Sequence, residues 1–340
     1  MEQIWRNPYD GDDSYAYVHA GSGCNTTVFP DGVEMAGPDL EFMLGLSHLY
    51  DWSVTGKDIE RWFENLRNHP EAKNRLVIDC GAYSLWSIGK EFSIDKYIDW
   101  LNTDDRMDLI YFAVAVDKIP GTPKQPIVSD EEARAASEET WANYLRMIKE
   151  VKWPKKLAPV FHLAEDFRCL ERMLEFTFED GSHIPYICVT NHESDINRCI
   201  RWYDKVFATI KNSSNPNVKI HILQEGRAKI LQRYKVQTSD ASSAIRQAAF
   251  GSIEFRGKIV NVGRTIDRNY IDFQPQMIKD DMQKELDKIG HGLTLEHLKI
   301  DSGTGGNYRK IFAMMLKSEH LAEVCKKTVP FKEVKKATLW

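Results

Sequence analysis

The sequence contains no long apolar run. Nowhere in its 340 residues does an uninterrupted apolar stretch approach the roughly 20 residues that span a membrane. The opening residues, Met-Glu-Gln-Ile-Trp-Arg, also lack the apolar region of a secretory signal. We therefore expect a cytoplasmic protein without a membrane partner.

Paired cysteines and a strong charge of one sign are also missing. No C-x-x-C pair occurs, and no histidines stand at the spacing of a zinc site. The six cysteines are Cys24, Cys80, Cys169, Cys188, Cys199 and Cys325. We expect neither a structural zinc site nor a disulfide framework. The net charge of −5 argues against indiscriminate nucleic-acid binding over the whole surface, but it leaves room for a local basic face.

What the sequence does contain is a repeated unit, in which a short apolar run ends in a polar residue and leads through a loop into an amphipathic helix. The predicted strands are Tyr15–Ala20, Leu76–Asp79, Leu109–Asp117, Leu157–His162, Ile184–Thr190, Val218–Gln224 and Tyr234–Asp240. The predicted helices are 38–50, 56–68, 93–102, 130–151, 165–177, 193–211 and 226–232. Parallel strands require crossover connections of this kind, so the alternation predicts an α/β fold with a parallel sheet.

The number of units favours a (β/α)8 barrel of the TIM type over an open sheet. Seven strands are identified by their apolar runs, and the eighth is either Lys258–Val262 or a piece near the N-terminus. After about residue 265 the alternation stops, and helices are predicted at 275–290 and 307–327. We therefore divide the chain into a barrel domain, 1–265, and a helical C-terminal extension, 266–340.

Polar residues stand at the C-terminal ends of six predicted strands, on the face where such barrels assemble active sites. They are Asp79, Asp117, His162, Thr190, Gln224 and Asp240. Ordinary roles are open to single members of this set, since Asp79 can cap the turn after its strand and Gln224 can cap a helix. Three aspartates at one rim, without a metal-ligand cluster, suit chemistry at an acetal-like carbon, such as glycosyl transfer.

Three motifs of this chain resemble tRNA-guanine transglycosylases over roughly residues 75–250. Val77-Ile-Asp79-Cys-Gly-Ala-Tyr-Ser84 is similar to that family's Asp-Ser-Gly-Gly-Phe-Gln motif. Ala115-Val-Asp117 is similar to its Phe-Asp, and Thr238-Ser-Asp240-Ala-Ser-Ser looks like the strand that delivers its nucleophile. The variant motifs look more like the phage and bacterial branch that inserts 7-deazaguanines into DNA. The resemblance implies a bacterial or phage-infected cell.

The resemblance also implies roles for single residues. Asp240 becomes the nucleophile on the anomeric carbon, and Asp79 becomes the general acid and base. Asp117 would read the guanine-like edge of the base, with His162 beside it. The remaining base-binding candidates are Gly81, Ala82, Tyr83, Val189, Thr190 and Gln224, although the glycines that the family has near Val189 and Thr190 are absent here.

A second departure from the family follows Asp240, where the zinc-binding C-x-C-x-x-C and His pattern is absent. This absence favours DNA over tRNA as the acceptor, and it implies no metal or other cofactor. The incoming co-substrate would be a 7-deazaguanine base such as preQ0 or preQ1. Alternatives that stay open are the same exchange on tRNA, a barrel that binds nucleic acid or nucleobase without catalysis, and an N-glycosidase that uses water.

The C-terminal segment is locally basic. Residues 306–336 hold eight Lys or Arg against three Glu, which indicates a candidate nucleic-acid contact or a solvated helix face. The candidate contacts are Arg246, Arg309, Lys310, Lys326 and Lys327. For Arg246, pairing with a carboxylate is the alternative.

Overall fold

The protein is a mixed α/β structure built on a parallel sheet. The computed structural model describes residues 16–19, 43–47, 63–64, 66–68, 76–122, 129–163, 165–191, 193–234, 236–263, 268–289, 292–299 and 304–326. Strands alternate with helices along the described chain, as the apolar runs predict. No helix within these residues is both long enough and apolar enough to cross a membrane.

All neighbouring strands of the main sheet run parallel, because helices and loops return the chain to the same edge after each strand. The strands are β1 (Ala16–His19), β2 (Met43–Ser47), β3 (Leu76–Asp79), β4 (Phe112–Val114), β5 (Leu157–Ala158), β6 (Val160–His162), β7 (Tyr186–Thr190), β8 (Lys219–Leu223) and β9 (Thr238–Ala241). Their order is β5-β4-β3-β2-β1-β9-β8-β7-β6.

The two ends of this order, β5 and β6, are consecutive in the chain and are separated only by Pro159. The Ala158 carbonyl accepts a hydrogen bond of 2.9 Å from Ala115 N–H, on the β4 side. The Pro159 carbonyl accepts one of 2.8 Å from Cys188 N–H, on the β7 side. One short run therefore pairs with β4 through its first half and with β7 through its second half.

Helices with one apolar face cover this sheet. They are α1 (Ala82–Ser87), α2 (Ile94–Leu101), α3 (Arg106–Leu109), α4 (Asp130–Glu150), α5 (Phe167–Glu175), α6 (Ile196–Lys211), α7 (Ala228–Leu231) and α8 (Ser243–Ala249). The longest, α4, begins at a capping box in which Ser129 and Glu132 satisfy each other's backbone N–H groups. Buried apolar side chains of the sheet and these helices form one main core.

Three local predictions of secondary structure are wrong: the helix at 38–50, the bounds of the strand at 109–117, and the parallel strand at 258–262. The helix predicted at 38–50 is a strand in its described part, β2, which pairs with β1 and β3. The strand predicted at Leu109–Asp117 is shorter, because Arg106–Leu109 is helical and β4 covers Phe112–Val114. A buried parallel strand is a continuous apolar run, so its periodicity does not distinguish it from a short buried helix.

Lys258–Val262 is not the eighth parallel strand, because β10 (Ser252–Phe255) and β11 (Lys258–Asn261) form an antiparallel hairpin of their own. The two residues between them, Arg256 and Gly257, have φ values of 50° and 74°. A two-residue loop with both φ values positive closes a hairpin with the natural strand twist, so this segment turns back on itself. The N-terminal alternative is the one observed, as β2.

The hairpin packs with the C-terminal helices around a second core. These helices are α9 (Gln276–Ile289), α10 (Leu295–Lys299) and α11 (Thr304–Lys326). Helices α9 and α11 lie at the predicted positions 275–290 and 307–327. Helix α11 contributes Ile311 and Met314 to the main core, and Phe312 and Ala313 to the second. It therefore joins the two cores.

Candidate active site

The three aspartates singled out in the sequence lie at or just beyond the C-terminal ends of their strands. Asp79 is the last residue of β3, Asp117 follows β4 by three residues, and Asp240 lies in β9. Strands β1 and β2 lie between β9 and β3, with Val18 in register with Asp240 and Ser47 in register with Asp79. The parallel sheet therefore carries these carboxylates at one edge.

Asp79 is held by the turn that follows it. Its Oδ1 accepts a hydrogen bond of 3.2 Å from the N–H of Gly81, which has a φ of 79° that suits glycine. Burial raises the pKa of Asp79 to about 6, and the negative charges of Asp240 and Asp117 contribute to the same shift. Asp117 and Asp240 are thus close enough to Asp79 for their charges to raise its pKa.

Asp117 accepts hydrogen bonds on both carboxylate oxygens. The Cys80 thiol lies 3.4 Å from Oδ1, and Nε2 of His162 lies 2.9 Å from Oδ2. The other ring nitrogen of His162, Nδ1, is 2.8 Å from Oε1 of Glu165. Burial alone would lower the pKa of His162, but the bonds to Asp117 and Glu165 outweigh it and raise the pKa to about 10. His162 is therefore an imidazolium ion that donates one hydrogen bond to each carboxylate.

Asp240 accepts one hydrogen bond on Oδ1 and has a histidine nitrogen near the same oxygen. The backbone N–H of Gln224 lies 2.8 Å from Oδ1, and Nε2 of His221 lies 3.3 Å from the same atom. Gln224 has a positive φ of 57°, which is uncommon for a residue with a side chain. The strained conformation turns its N–H toward the carboxylate, so Gln224 serves this site through its backbone.

The remaining base-binding candidates differ in solvent exposure. Ala82 and Tyr83 begin α1, and the Tyr83 side chain is 47% exposed beside Trp86. Thr190 ends β7 and is buried. Val189 precedes Thr190 in β7, and its side chain is buried in the main core on the opposite face of the sheet. The backbone contact that the resemblance implies for Val189 stays a prediction.

Among the predicted nucleic-acid contacts, some side chains are exposed and others are buried. Arg246 is exposed in α8. Arg309 and Lys310 are buried in α11, and the Arg309 guanidinium donates to the carbonyls of Ala248 and Leu298. Arg309 is therefore wrong as a phosphate contact, because its buried guanidinium is bonded to the backbone. The burial of Lys310 also argues against a contact with phosphate. Lys326 ends α11, and Lys327 lies outside the described residues.

Three residues of this constellation were not predicted from the sequence: Cys80, Glu165 and His221. Two of them had a local signal, since Cys80 directly follows Asp79, and Glu165 stands three residues after His162. The sequence signal for His221 was weaker, because a histidine within an apolar strand is ordinarily a buried structural residue. Its contact with Asp240 depends on how β8 and β9 pair, which the sequence pattern does not specify.

The constellation places a carboxyl group with a raised pKa, Asp79, near two further carboxylates and a histidine that bonds to one of them. No protein-family model matches this chain, and no curated protein matches it either. Within the described residues, no group of His, Cys, Asp and Glu side chains is arranged to hold a metal ion.

Proposed function

We propose that the parallel sheet is a closed (β/α)8 barrel. The proposal is supported by the run 157–162, which pairs with β4 and β7 on its two sides. With β5 and β6 counted as one strand, the strands follow one another in chain order around the sheet, and each has two neighbours. A closed parallel sheet presents all strand C-termini on one rim, where barrel enzymes hold their active sites.

We propose that the protein is a base-exchange transglycosylase, which replaces guanine in DNA with a 7-deazaguanine through a covalent intermediate on Asp240. The observation that carries this proposal is the position of Asp79, Asp117 and Asp240, three residues far apart in the chain, at or just beyond the C-terminal ends of β3, β4 and β9. The charges of Asp117 and Asp240 also act on Asp79. Retaining glycosyl transfer requires a carboxylate nucleophile and a second carboxyl group that handles protons, the roles that this proposal assigns to Asp240 and Asp79.

In the first step, an oxygen of Asp240 forms a bond to C1′ of the target nucleotide. The bond from C1′ to N9 of guanine breaks, its electron pair stays on the base, and protonated Asp79 supplies a proton to the leaving guanine. In the second step, ionised Asp79 takes a proton from the incoming 7-deazaguanine. The base nitrogen attacks C1′, and the bond to Asp240 breaks with its electron pair returning to the carboxylate. A pKa of about 6 lets Asp79 hold or release a proton near neutral pH.

Asp117 is the group that reads the base in this proposal. A carboxylate has about four lone-pair sites. The bonds from Cys80 and His162 use one site on each oxygen, so each oxygen can still accept an N–H of a guanine-like edge. His162 then fixes the orientation of Asp117, and the exposed ring of Tyr83 is available to stack on the target base.

DNA is the proposed acceptor, because the sequence lacks the zinc-binding pattern of the tRNA enzymes after Asp240. A base inside a duplex does not reach a recessed site, so the target nucleotide has to be flipped out or single-stranded. Flipping costs roughly a few kcal/mol, and a single-stranded target avoids most of that cost.

The proposal is tested by nucleoside mass spectrometry of DNA and tRNA from cells that express the protein and are supplied with preQ0 or preQ1. We expect a 7-deazaguanine nucleoside in DNA with the natural protein and none with Asp240→Asn, because the amide is a far weaker nucleophile. Modified nucleoside in tRNA alone would replace DNA by tRNA as the acceptor. Incorporation that persists in Asp240→Asn would exclude Asp240 as the nucleophile. Abasic sites without incorporation would indicate an N-glycosidase.

His183→Asn is a suitable control for this experiment. The His183 side chain bonds to the backbone carbonyl of Phe176, away from the three aspartates. We expect the control to incorporate the modified base at the level of the natural protein.

A further inference from the structure

Two segments at the C-terminal edge of the sheet hold groups that bind the base in the proposed reaction. The first is helix α1, which follows β3 and carries Tyr83. The second is the segment 117–121, which follows β4 and begins with Asp117. The segment 117–121 is neither helix nor strand, so its position depends on contacts with neighbouring parts of the chain rather than on a regular hydrogen-bond pattern.

Hydrogen bonds hold this segment at both ends. At its start, the Cys80 thiol donates to Oδ1 of Asp117 at 3.4 Å. At its far end, the indole N–H of Trp86 in α1 donates to the carbonyl oxygen of Gly121 at 3.0 Å. Both donors belong to the part of the chain that directly follows β3. They therefore fasten this part of the chain to the segment that carries Asp117.

Trp86 also contacts Tyr83. The two residues are three positions apart in α1, so they lie on the same face of the helix. Their ring centroids are 5.7 Å apart, the ring planes are inclined by 32°, and Tyr83 is 47% exposed. One side chain, Trp86, thus contacts the ring that is proposed to stack on the base and the segment whose carboxylate is proposed to read its edge.

We infer that Trp86 is a positioning residue that fixes the spacing between the ring of Tyr83 and the carboxylate of Asp117, and thereby increases the affinity for the incoming base. The inference rests on the proposed function, which gives Tyr83 and Asp117 their roles. A base that stacks on one group while its edge bonds to the other requires both at a fixed spacing. Without the indole bond the two segments can separate, and the fraction of molecules with the correct spacing falls.

The reacting groups do not depend on this contact. Asp79 ends β3 and Asp240 lies in β9, so the sheet itself holds both of them. Loss of the indole bond should therefore weaken base binding and leave the rate of the chemical steps nearly unchanged. A single neutral hydrogen bond has a modest net free energy, so the expected loss of affinity is roughly threefold to tenfold.

The test compares Trp86→Phe with Trp153→Phe in the full chain. Trp86→Phe keeps an aromatic ring beside Tyr83 but removes the N–H that bonds to Gly121. Trp153 is 47% exposed and lies just before β5, at the edge of the sheet opposite to the C-terminal strand ends. Trp153→Phe is therefore the same chemical change at a distance from the three aspartates.

Base exchange is measured with a guanine-containing single-stranded DNA oligonucleotide and a range of preQ0 concentrations, and incorporated preQ0 is quantified by nucleoside mass spectrometry. We expect Trp86→Phe to raise the KM for preQ0 roughly threefold to tenfold and to keep kcat within about twofold of the natural protein. Trp153→Phe should leave both constants unchanged. Amide hydrogen exchange of the protein alone should become faster in 117–121 for Trp86→Phe only.

Unchanged hydrogen exchange in 117–121 of Trp86→Phe would overturn the inference, because the indole bond would then not hold the segment. An unchanged KM for preQ0 would also overturn it, as would equal falls in kcat and in kcat/KM, which indicate a loss in the chemical step. If thermal melts show that Trp86→Phe is unfolded, Trp86→Met takes its place, since its flexible side chain fills the space without an N–H. Absence of exchange in the natural protein would instead overturn the proposed function, whereas the hydrogen-exchange comparison would still test the contact between Trp86 and Gly121.

Discussion

Asp79 combines burial with two negatively charged neighbours, and all three influences favour its protonated form. The Gly81 N–H opposes them by stabilising the ionised form. The balance leaves a pKa of about 6, between the value of an ordinary carboxyl group and neutrality. A single side chain can therefore serve as acid in one step and base in the next.

In the proposed exchange reaction, the rate of guanine release should depend on the protonation of Asp79. The acid form predominates below a pH of about 6, so the single-turnover rate of the first step should be constant there and fall about tenfold per pH unit above it. Rapid-quench measurement of released guanine between pH 5 and 8 tests this. A pH-independent rate would remove Asp79 as the acid.

Asp79→Asn should make the protein more stable at high pH while it abolishes exchange. The folded pKa of about 6 exceeds the ordinary 3.8, so the folded state binds more protons between these values and loses stability as pH rises through them. At pH 8 the neutral amide should gain about 1–3 kcal/mol in free energy of unfolding, and the gain should vanish below about pH 4. Urea unfolding at both pH values measures it, and equal stabilities at pH 8 would contradict it.

At the residue scale, strand ends were easier to predict than strand interiors. Asp79 and Asp117 stand where an apolar run stops, and Asp240 lies in a recognisable motif, so the pattern alone singles them out. The contact between His221 and Asp240 requires the register of β8 on β9, in which His221 is paired with Thr238. Register is set by packing across the whole sheet, so this contact was not predictable from the sequence.

At the scale of secondary structure, each of the seven predicted strand runs overlaps a strand of the main sheet, although β4 and β9 differ from them in their bounds, and the main helices lie close to their predicted positions. The wrong predictions occur where a local sequence is compatible with two different structures. The run Met43-Leu-Gly-Leu-Ser47 has no alternation to mark it as a strand, and its identity comes from pairing with β1 and β3. The β11 segment is apolar enough for a parallel strand, but Arg256 and Gly257 turn it into a hairpin.

The hairpin also depends on a close crossing of two glycines. A Cβ added to Gly263 would lie 2.6 Å from the Gly251 Cα, closer than side-chain atoms approach backbone. Gly263→Ala should therefore destabilise the protein by about 1–3 kcal/mol, because the two backbone segments must separate. Gly257→Ala meets open space but keeps a positive φ, so about 1 kcal/mol is expected. Thermal and urea unfolding of both variants test the prediction. A loss for Gly263→Ala no larger than that for Gly257→Ala would contradict it.

At the scale of the whole molecule, two basic residues of α11, Arg309 and Lys317, stabilise the fold. Arg309 is 1% exposed and links the backbone of α8 to that of α10, and Lys317 pairs with Glu254 of the hairpin at 2.9 Å. Counting charges along the sequence does not distinguish such buried cations from a nucleic-acid surface, because burial depends on which face of the helix meets the two cores.

Arg309→Met should lower the stability of the protein, whereas Arg246→Met should weaken its binding to DNA. The first leaves two carbonyl groups without their charged donor and should lower the free energy of unfolding by about 2–3 kcal/mol. The second changes an exposed side chain and should alter stability by less than about 0.5 kcal/mol. Urea unfolding measures both, and titration with single-stranded DNA should show weaker binding only for Arg246→Met. Equal stability losses would contradict the structural role of Arg309.

Helix α11 contacts β1, although the two lie at opposite ends of the described chain. On the ribosome, β1 leaves the exit tunnel long before α11 has been translated. Until α11 has been synthesised, the part of the main core that it covers stays exposed to solvent. We expect a premature stop codon upstream of α11 to leave this apolar surface exposed and to direct the product to proteolysis.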